Sequence, residues 1–497
     1  MAGDEAPPAA ATPASPPSPP SRPGAGRLFA VGLPVLLVLV AGSLRFAGLG
    51  HPERIYFDET YYAEDAQAYL LRGVESDLSV DPPVPDFAVH PPVGKWSIAL
   101  GIAAFGYDAF GWRAGAAAAG TLTVLMVYLV GLRLFRRRGI AALAALLVTV
   151  DGLAFTMSRI AMLDVFLMLF VTTGFWLLLI DRDRQWAGVE ELGAGRDPGE
   201  DGEAPPPRLP TRPHPYRYLA GVAFGLALGT KWSALTAIGA AGLFVLVSEL
   251  AWRRRLTGRL LHRPWPIVTS GVASLVLVPL VIYVASYAGW FANFENTRKA
   301  AEGVSAVEIG SEWLEEQREI AVFHRDLDAE HQYRASPLTW FLMTRPVAYY
   351  WEACDGPPAE GEEPCEVGEG NVAEIIGFGN PLIWWMALLA YPIVGYFAVR
   401  RDWRALAILA FLVLQALPWH LSTRPVFLFY ITPAVPFLCL SLAYAAWRAL
   451  DERALRWVPA AVATVAVVAF LFFFPVLIGE EISRGAWDLR IWIPTWV

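Results

Sequence analysis

WVPAAVATVAVVAFLFFFPVL, residues 457–477, carries no charged side chain. As an α-helix it is long enough to cross the roughly 30 Å hydrocarbon core of a bilayer. Comparable apolar blocks, each of spanning length or nearly so, occupy 28–49, 112–134, 139–157, 160–180, 266–288, 382–399 and 426–447. The 497-residue chain is 55% hydrophobic and only 17% charged, with mean hydropathy +0.41. Soluble domains average about a quarter charged, and a soluble core of this size would show shorter, amphipathic stripes. The reading is an all-α polytopic membrane protein.

The net charge of −8 says little, because orientation follows local Lys and Arg. Three cysteines exclude a disulfide-dense scaffold and a cysteine-based zinc cluster. Cys354 and Cys365 share one polar loop, and a bridge between them requires that loop to lie outside the cytosol. Cys439 sits in an apolar block. Residues 1–27 are rich in Pro and Ala, with Arg22 and Arg27, a composition of disorder. The run after them has full spanning length and reads as a retained anchor rather than a cleaved signal.

Arginine-rich turns follow alternate apolar blocks: Arg136 to Arg138, Arg182 and Arg184, Arg253 to Arg255, Arg400, Arg401 and Arg404, and Arg448, Arg453 and Arg456. The positive-inside rule puts them all in the cytoplasm with the N-terminus. That assignment is self-consistent with about 11 spans. Residues 216–250 then hold two of them, broken near Gly229-Thr230-Lys231, and 404–418 form another short one ending at Pro418. The domain from 28 to 477 is followed by an external tail, 478–497. A first external loop covers 50–111, its polar part 50–95. Residues 181–215 read as an acidic, flexible cytoplasmic linker, and 289–381 as a large external loop with an amphipathic helix around Trp313 to Phe323, suited to a membrane surface.

Four groups of residues could do chemistry. Asp58-Glu59 lie about ten residues beyond the first span among aromatics. They form either a solvated acidic turn or a carboxylate held at the bilayer surface that takes a proton from an incoming hydroxyl. In His90-Pro91-Pro92-Val93-Gly94-Lys95 the prolines fix the backbone at a helix start, and His90 is either a second candidate or a surface histidine. The cations Arg113, Arg159, Lys231 and Arg424 fall near outer helix ends, with Asp164 just inside the fourth span. Gathered on one face they would bind a phosphate headgroup; alternatively they snorkel, or Arg159 pairs with Asp164. Finally, His324 and His331, seven residues apart, would share a helical face and could hold a metal, or be hydrogen-bonded surface residues. No Ser-His-Asp signature, phosphate-cradling glycine loop or basic tract for nucleic acid is present.

Taken in order, Phe57-Asp58-Glu59, His90 to Lys95, Ser158-Arg159 to Asp164 and Gly229-Thr230-Lys231-Trp232-Ser233 resemble the dolichyl-phosphate-mannose–protein mannosyltransferases, glycosyltransferases of the GT-C fold. The likeness continues through Tyr333 to Pro337, Trp340, Arg345-Pro346, Tyr349-Tyr350-Trp351, Gly379-Asn380-Pro381 with Trp384-Trp385, and Arg424 before Phe427. It is greatest for the bacterial, actinobacterial-type branch. The loop at 289–381 is too short for the β-trefoil domain of eukaryotic members. The resemblance implies transfer of mannose, with inversion, from polyprenyl-phosphate mannose to Ser or Thr of unfolded exported proteins at the plasma membrane, beside the Sec translocon and in contact with membrane lipids. Asp58 would be the base, and Glu59 would hold the acceptor. Arg113 would bind the donor phosphate, with Lys231, Arg159 and Arg424 as weaker candidates; His90, Asp164, His331 and Asn380 are further candidate residues. The family demands no metal and no cofactor is implied; whether a divalent ion contributes is left open. Two rivals share part of this evidence: a GT-C enzyme acting on a lipid or cell-wall glycan, and a transporter or flippase, which would require broken helices in symmetric halves.

Overall fold

The computed structural model describes residues 23–194, 214–261, 265–328, 330–354 and 367–496. Eight of its helices are long and apolar enough to cross a membrane, from Ala109–Phe135 to Arg453–Phe473, and shorter apolar helices cover Val31–Phe46, Val93–Phe105 and Arg138–Thr149. Their outward faces carry side chains such as Leu100, Leu389 and Val399, each more than 70% exposed, which in water would be a liability and in lipid is the expected surface. The segment Leu428–Ala449 is 94% buried along its apolar window. The helices Ala109–Phe135, Arg138–Thr149, Asp164–Ala194, Pro381–Val399, Trp403–Ala416 and Val458–Phe473 pack against it.

Sequence boundaries shift where composition misled. The first helix already begins at Pro23, and the rest of the expected tail, 1–22, lies outside the described residues. The helix Asp164–Ala194 runs well into the expected acidic linker. Its charges are consumed locally: Asp181 accepts from Arg217 at 2.8 Å and meets His214 at 3.1 Å, while Arg217 also reaches Glu249 at 2.7 Å. Asp181, at the start of that stretch, is thus part of a buried ion network with Arg217, His214 and Glu249. The remainder of that linker, 195–213, lies outside the described residues. The expected break is present: one helix ends at Leu228 and the next starts at Ala234.

The arginine-rich turns gather at one end of the bundle. Arg404 donates to the Leu134 carbonyl at 2.7 Å, Arg133 to Asp183 at 3.2 Å and Arg448 to Asp402 at 2.8 Å, and Arg182 stacks over Trp403. Arg113 and Arg136 are at opposite ends of one helix, roughly 34 Å apart at 1.5 Å per residue. The first loop therefore faces the other end.

At that other end the polar segments are folded. The first loop contains the helix Glu59–Arg72. The large loop contains the expected amphipathic helix, Ile309–Asp326, with Trp313 against Tyr283, Tyr287 and Phe291; that face is applied to protein. A three-stranded antiparallel sheet, Val347–Ala353, Asn371–Gly377 and Ile482–Ser483, adds a small β element to the helical fold. Its third strand comes from the C-terminal segment, so 478–496 is no loose tail. Trp487 Nε1 donates to Glu374 and Trp496 Nε1 to the Met343 carbonyl, both at 2.6 Å. Cys354 is disulfide-bonded and Cys439 is a buried free thiol; Cys365 lies outside the described residues.

Candidate active site

A cavity of about 780 Å³ opens between the first loop, the helix Ile309–Asp326 and the segment 424–430. Asp58, His90, Lys231, His324, His331 and Arg424 all line it. Residues scattered over more than 360 positions thus converge on one space.

Local packing explains how. Val93 N donates to the Gly229 carbonyl at 2.8 Å. A Cβ on Gly94 would lie 2.6 Å from Leu163 and 3.1 Å from Thr230, and one on Gly229 would lie 2.7 Å from Val93. Glycine at both positions lets the helix start after His90-Pro91-Pro92 seat against the helix break, which delivers Lys231 to the cavity wall. There Lys231 bonds both oxygens of Asp164 at 2.9 and 3.1 Å and sits 4.5 Å over the Tyr430 ring.

The two adjacent acids have different fates. Glu59 is fully buried. It takes Arg113 Nε and Nη2 at 2.8 and 2.9 Å and the Ala161 N–H at 3.0 Å. Asp58 caps no backbone N–H of the helix it precedes, and among the described residues no hydrogen bond or ion pair holds its carboxylate. Burial is the largest influence on Asp58 and raises its pKa to about 6; Lys231 opposes the rise and Asp164 adds to it. That is a carboxylate able to take a proton near neutral pH. The preceding Phe57 has φ +53, a conformation sparsely used by bulky residues, with its ring against Tyr349 and Phe429. Strain of this kind clusters at functional sites.

Several expected ligand-binding roles do not fit this geometry. Arg113 spends all five N–H donors internally, on Glu59 and the carbonyls of Leu49, Pro52 and Arg54, leaving none for a phosphate. Glu59 is likewise saturated and cannot hold an acceptor. Arg159 is occupied by the carbonyls of Leu44, Arg45, Ala47 and Gly48 at the end of the first helix. Its expected partner Asp164 belongs to Lys231. Asn380 caps the helix Pro381–Val399 and donates to Val150 and Ala466 carbonyls, away from the cavity. His331 lies beyond the end of the helix that carries His324, so the two share no helical face. Among the described residues no group of three His, Cys, Asp or Glu could hold a metal.

Other cavity residues lie outside the motifs singled out in the sequence. Asp65, Glu64, Asp77 and Asp86 form an acidic rim; Asp65 pairs with Lys95 at 3.0 Å. Asp65 is seven residues after Asp58, two helical turns on the same face, a spacing that could have flagged it. Lys95 is bound by Asp65 and Glu75, and Lys231 by Asp164. Among the described residues, Arg424 is therefore the cavity-lining cation without a carboxylate partner. It is held by neutral groups, His324 and the Tyr430 hydroxyl, and its Nε is buried without a partner.

Residues 35–186 and 215–293 match the family described as dolichyl-phosphate-mannose-protein mannosyltransferase, and 310–496 match the C-terminal four-TMM region of protein-O-mannosyltransferase. A polyprenol-phosphate-mannose–protein mannosyltransferase of Mycobacterium tuberculosis is 32% identical over 94% of this chain and 91% of its own. The protein of the same description from Corynebacterium glutamicum is 28% identical over 93% and 92%. The S. cerevisiae protein O-mannosyltransferase Pmt1-Pmt2 complex, solved bound to the sugar donor, shares the fold with TM-score 0.72 at 13% identity, covering 93% of this chain and 92% of that one.

Proposed function

Since the chain belongs to the dolichyl-phosphate-mannose–protein mannosyltransferase family, a family of multi-pass membrane glycosyltransferases, we propose that it moves mannose from polyprenyl-phosphate mannose onto Ser or Thr hydroxyls of exported proteins. The observation that carries this reading is the unpartnered Asp58 carboxylate in the same cavity as the uncompensated Arg424. Asp58 takes the proton of the incoming hydroxyl as its oxygen attacks the anomeric carbon. The bond from that carbon to the phosphate oxygen breaks, and polyprenyl phosphate leaves with the bonding electrons. One displacement inverts the anomeric centre and needs one base, not a carboxylate pair. The leaving phosphate is a stable anion, so Arg424, with the Lys231–Asp164 pair beside it, supplies charge stabilisation rather than a proton.

Orientation follows from two further observations. The arginine-rich turns share the end opposite the cavity, which favours a cytoplasmic location for them and for the N-terminus. The disulfide at Cys354, on the cavity side, fits an oxidising exterior. The site then faces outside the plasma membrane, where acceptors arrive as flexible segments leaving the Sec translocon.

Purified enzyme in detergent, given polyprenyl-phosphate mannose and either a Thr-rich peptide or a lipid acceptor, tests the reading. Mannosylated peptide is the expected product. Transfer to the lipid alone would establish the rival acceptor class, and absence of transfer to either would overturn the proposal.

A further inference from the structure

The helix Ile309–Asp326 belongs to the external loop, yet one of its last residues, His324, lines the cavity. His324 Nε2 lies 3.0 Å from the Val89 carbonyl. A carbonyl only accepts, so Nε2 carries the proton and donates. On the other side Arg424 Nη1 meets His324 Nδ1. A guanidinium only donates, so Nδ1 offers its lone pair. Both contacts are satisfied at once by a single state, the neutral imidazole protonated on Nε2. The ring itself is clamped: it stacks on His90 with centroids 5.0 Å apart and planes at 25°, and it meets Trp232 edge-on. Phe87 and Phe323 close the same joint at 5.7 Å.

Arg424 depends on this arrangement. With no carboxylate to orient it, its guanidinium is fixed by His324 on Nη1 and Tyr430 on Nη2. Three N–H groups remain, among them the buried and unpartnered Nε. A buried donor left without an acceptor is costly, and an anionic oxygen in the cavity would remove that cost. Burial and the Arg424 charge also hold the His324 pKa down to about 4, so the ring stays neutral at any pH where the protein would work.

We propose that His324 is a positioning residue for the lipid donor: it presents its Nδ1 lone pair to Arg424 and so presets the guanidinium that receives the donor phosphate. It touches no reacting atom. This inference rests on the phosphate-binding role of Arg424 in the preceding reading and deepens it, because it makes the external helix part of the donor site.

The test is binding of a polyprenyl phosphate to the full-length protein in detergent, followed by transfer kinetics. His324→Phe keeps a ring in the stack and loses both nitrogens. It should weaken polyprenyl phosphate binding about ten-fold and raise the donor KM alike, with kcat and acceptor KM within about two-fold of wild type. His324→Asn places an amide oxygen near the Nδ1 position and should recover most of the affinity. A purely structural role would instead lower the melting temperature and affect donor and acceptor together. Wild-type affinity in His324→Phe, or no recovery in His324→Asn when both are folded, would overturn the inference. Wild-type protein that binds polyprenyl phosphate but transfers no mannose would overturn the functional reading while leaving His324 in place.

Discussion

Glu59 and Arg113 form a two-pronged ion pair, Nε to Oε1 at 2.8 Å and Nη2 to Oε2 at 2.9 Å, in which both side chains are wholly buried. The pair staples the start of the helix Glu59–Arg72 to the helix Ala109–Phe135, and through Ala161 N to the turn after Arg159. It sets where the neighbouring Asp58 stands without meeting the cavity itself. Removing either partner leaves a buried charge unmatched, which costs about 3–5 kcal/mol. Glu59→Ala and Arg113→Ala should therefore fold poorly and melt well below wild type, while any folded fraction keeps its affinity for polyprenyl phosphate. Thermal unfolding in detergent with a binding assay decides it. An Arg113→Ala protein that melts like wild type yet loses the lipid would restore Arg113 as a phosphate ligand.

Asp58→Asn should behave in the opposite way. Transfer should fall at least about 100-fold, the scale of a lost general base, with the fold intact. Stability should rise rather than fall at pH 8. The folded-state pKa of about 6 exceeds the ordinary value near 3.9. The ionised carboxylate therefore costs stability that is lost as pH rises through the interval from about 4 to 6, and an amide carries no such cost. In the wild type the same value gives kcat/KM an acidic limb near pH 6, with activity falling below it. A flat profile between pH 5 and 8, or near-normal transfer by Asp58→Asn, would remove Asp58 as the base.

Lys231 and Asp164 pull the Asp58 carboxyl in opposite directions, the lysine lowering its pKa and the aspartate raising it. Lys231→Met should therefore move the acidic limb of kcat/KM to higher pH, and Asp164→Asn should move it to lower pH. Both variants break a buried pair and both should lose stability. The sign of the pH displacement separates electrostatic control of Asp58 from simple damage, and displacements in the same direction would refute it.

How far the sequence reaches is visible in these residues. Spanning helices are legible because hydrophobic run length is a one-dimensional property, and the break at 229–231 shows as a Gly-Thr-Lys interruption in an apolar block. Asp58 and Glu59, by contrast, are chemically near-equivalent neighbours. Which one meets the cavity depends on rotation about the helix they begin and on Arg113, 54 positions away. Partner choice among the cations fails for the same reason. Arg159 and Asp164 are near in sequence, but the turn between them directs Arg159 to the end of the first helix and Asp164 to Lys231. Asp181 falls in a stretch that reads as solvated by composition, yet it is buried through contacts with Arg217 and His214.

The side of the membrane on which the cavity opens is set by charge and can be read chemically. Val80 is 42% exposed in the first loop. Arg254 is exposed at the end of the helix Ala234–Thr257, among the arginines at the opposite pole. Cys439 is buried and Cys354 is already bonded, so neither competes for a thiol reagent. In intact cells a membrane-impermeant maleimide should label Val80→Cys above the wild-type background. It should reach Arg254→Cys only after permeabilisation. Energy points the same way: an Arg at the membrane centre costs about 2.5–3.5 kcal/mol, a barrier that each of the five arginine-rich turns would meet on crossing. Labelling of Arg254→Cys from outside, with Val80→Cys protected, would place the cavity in the cytoplasm and end the case for acceptors in export.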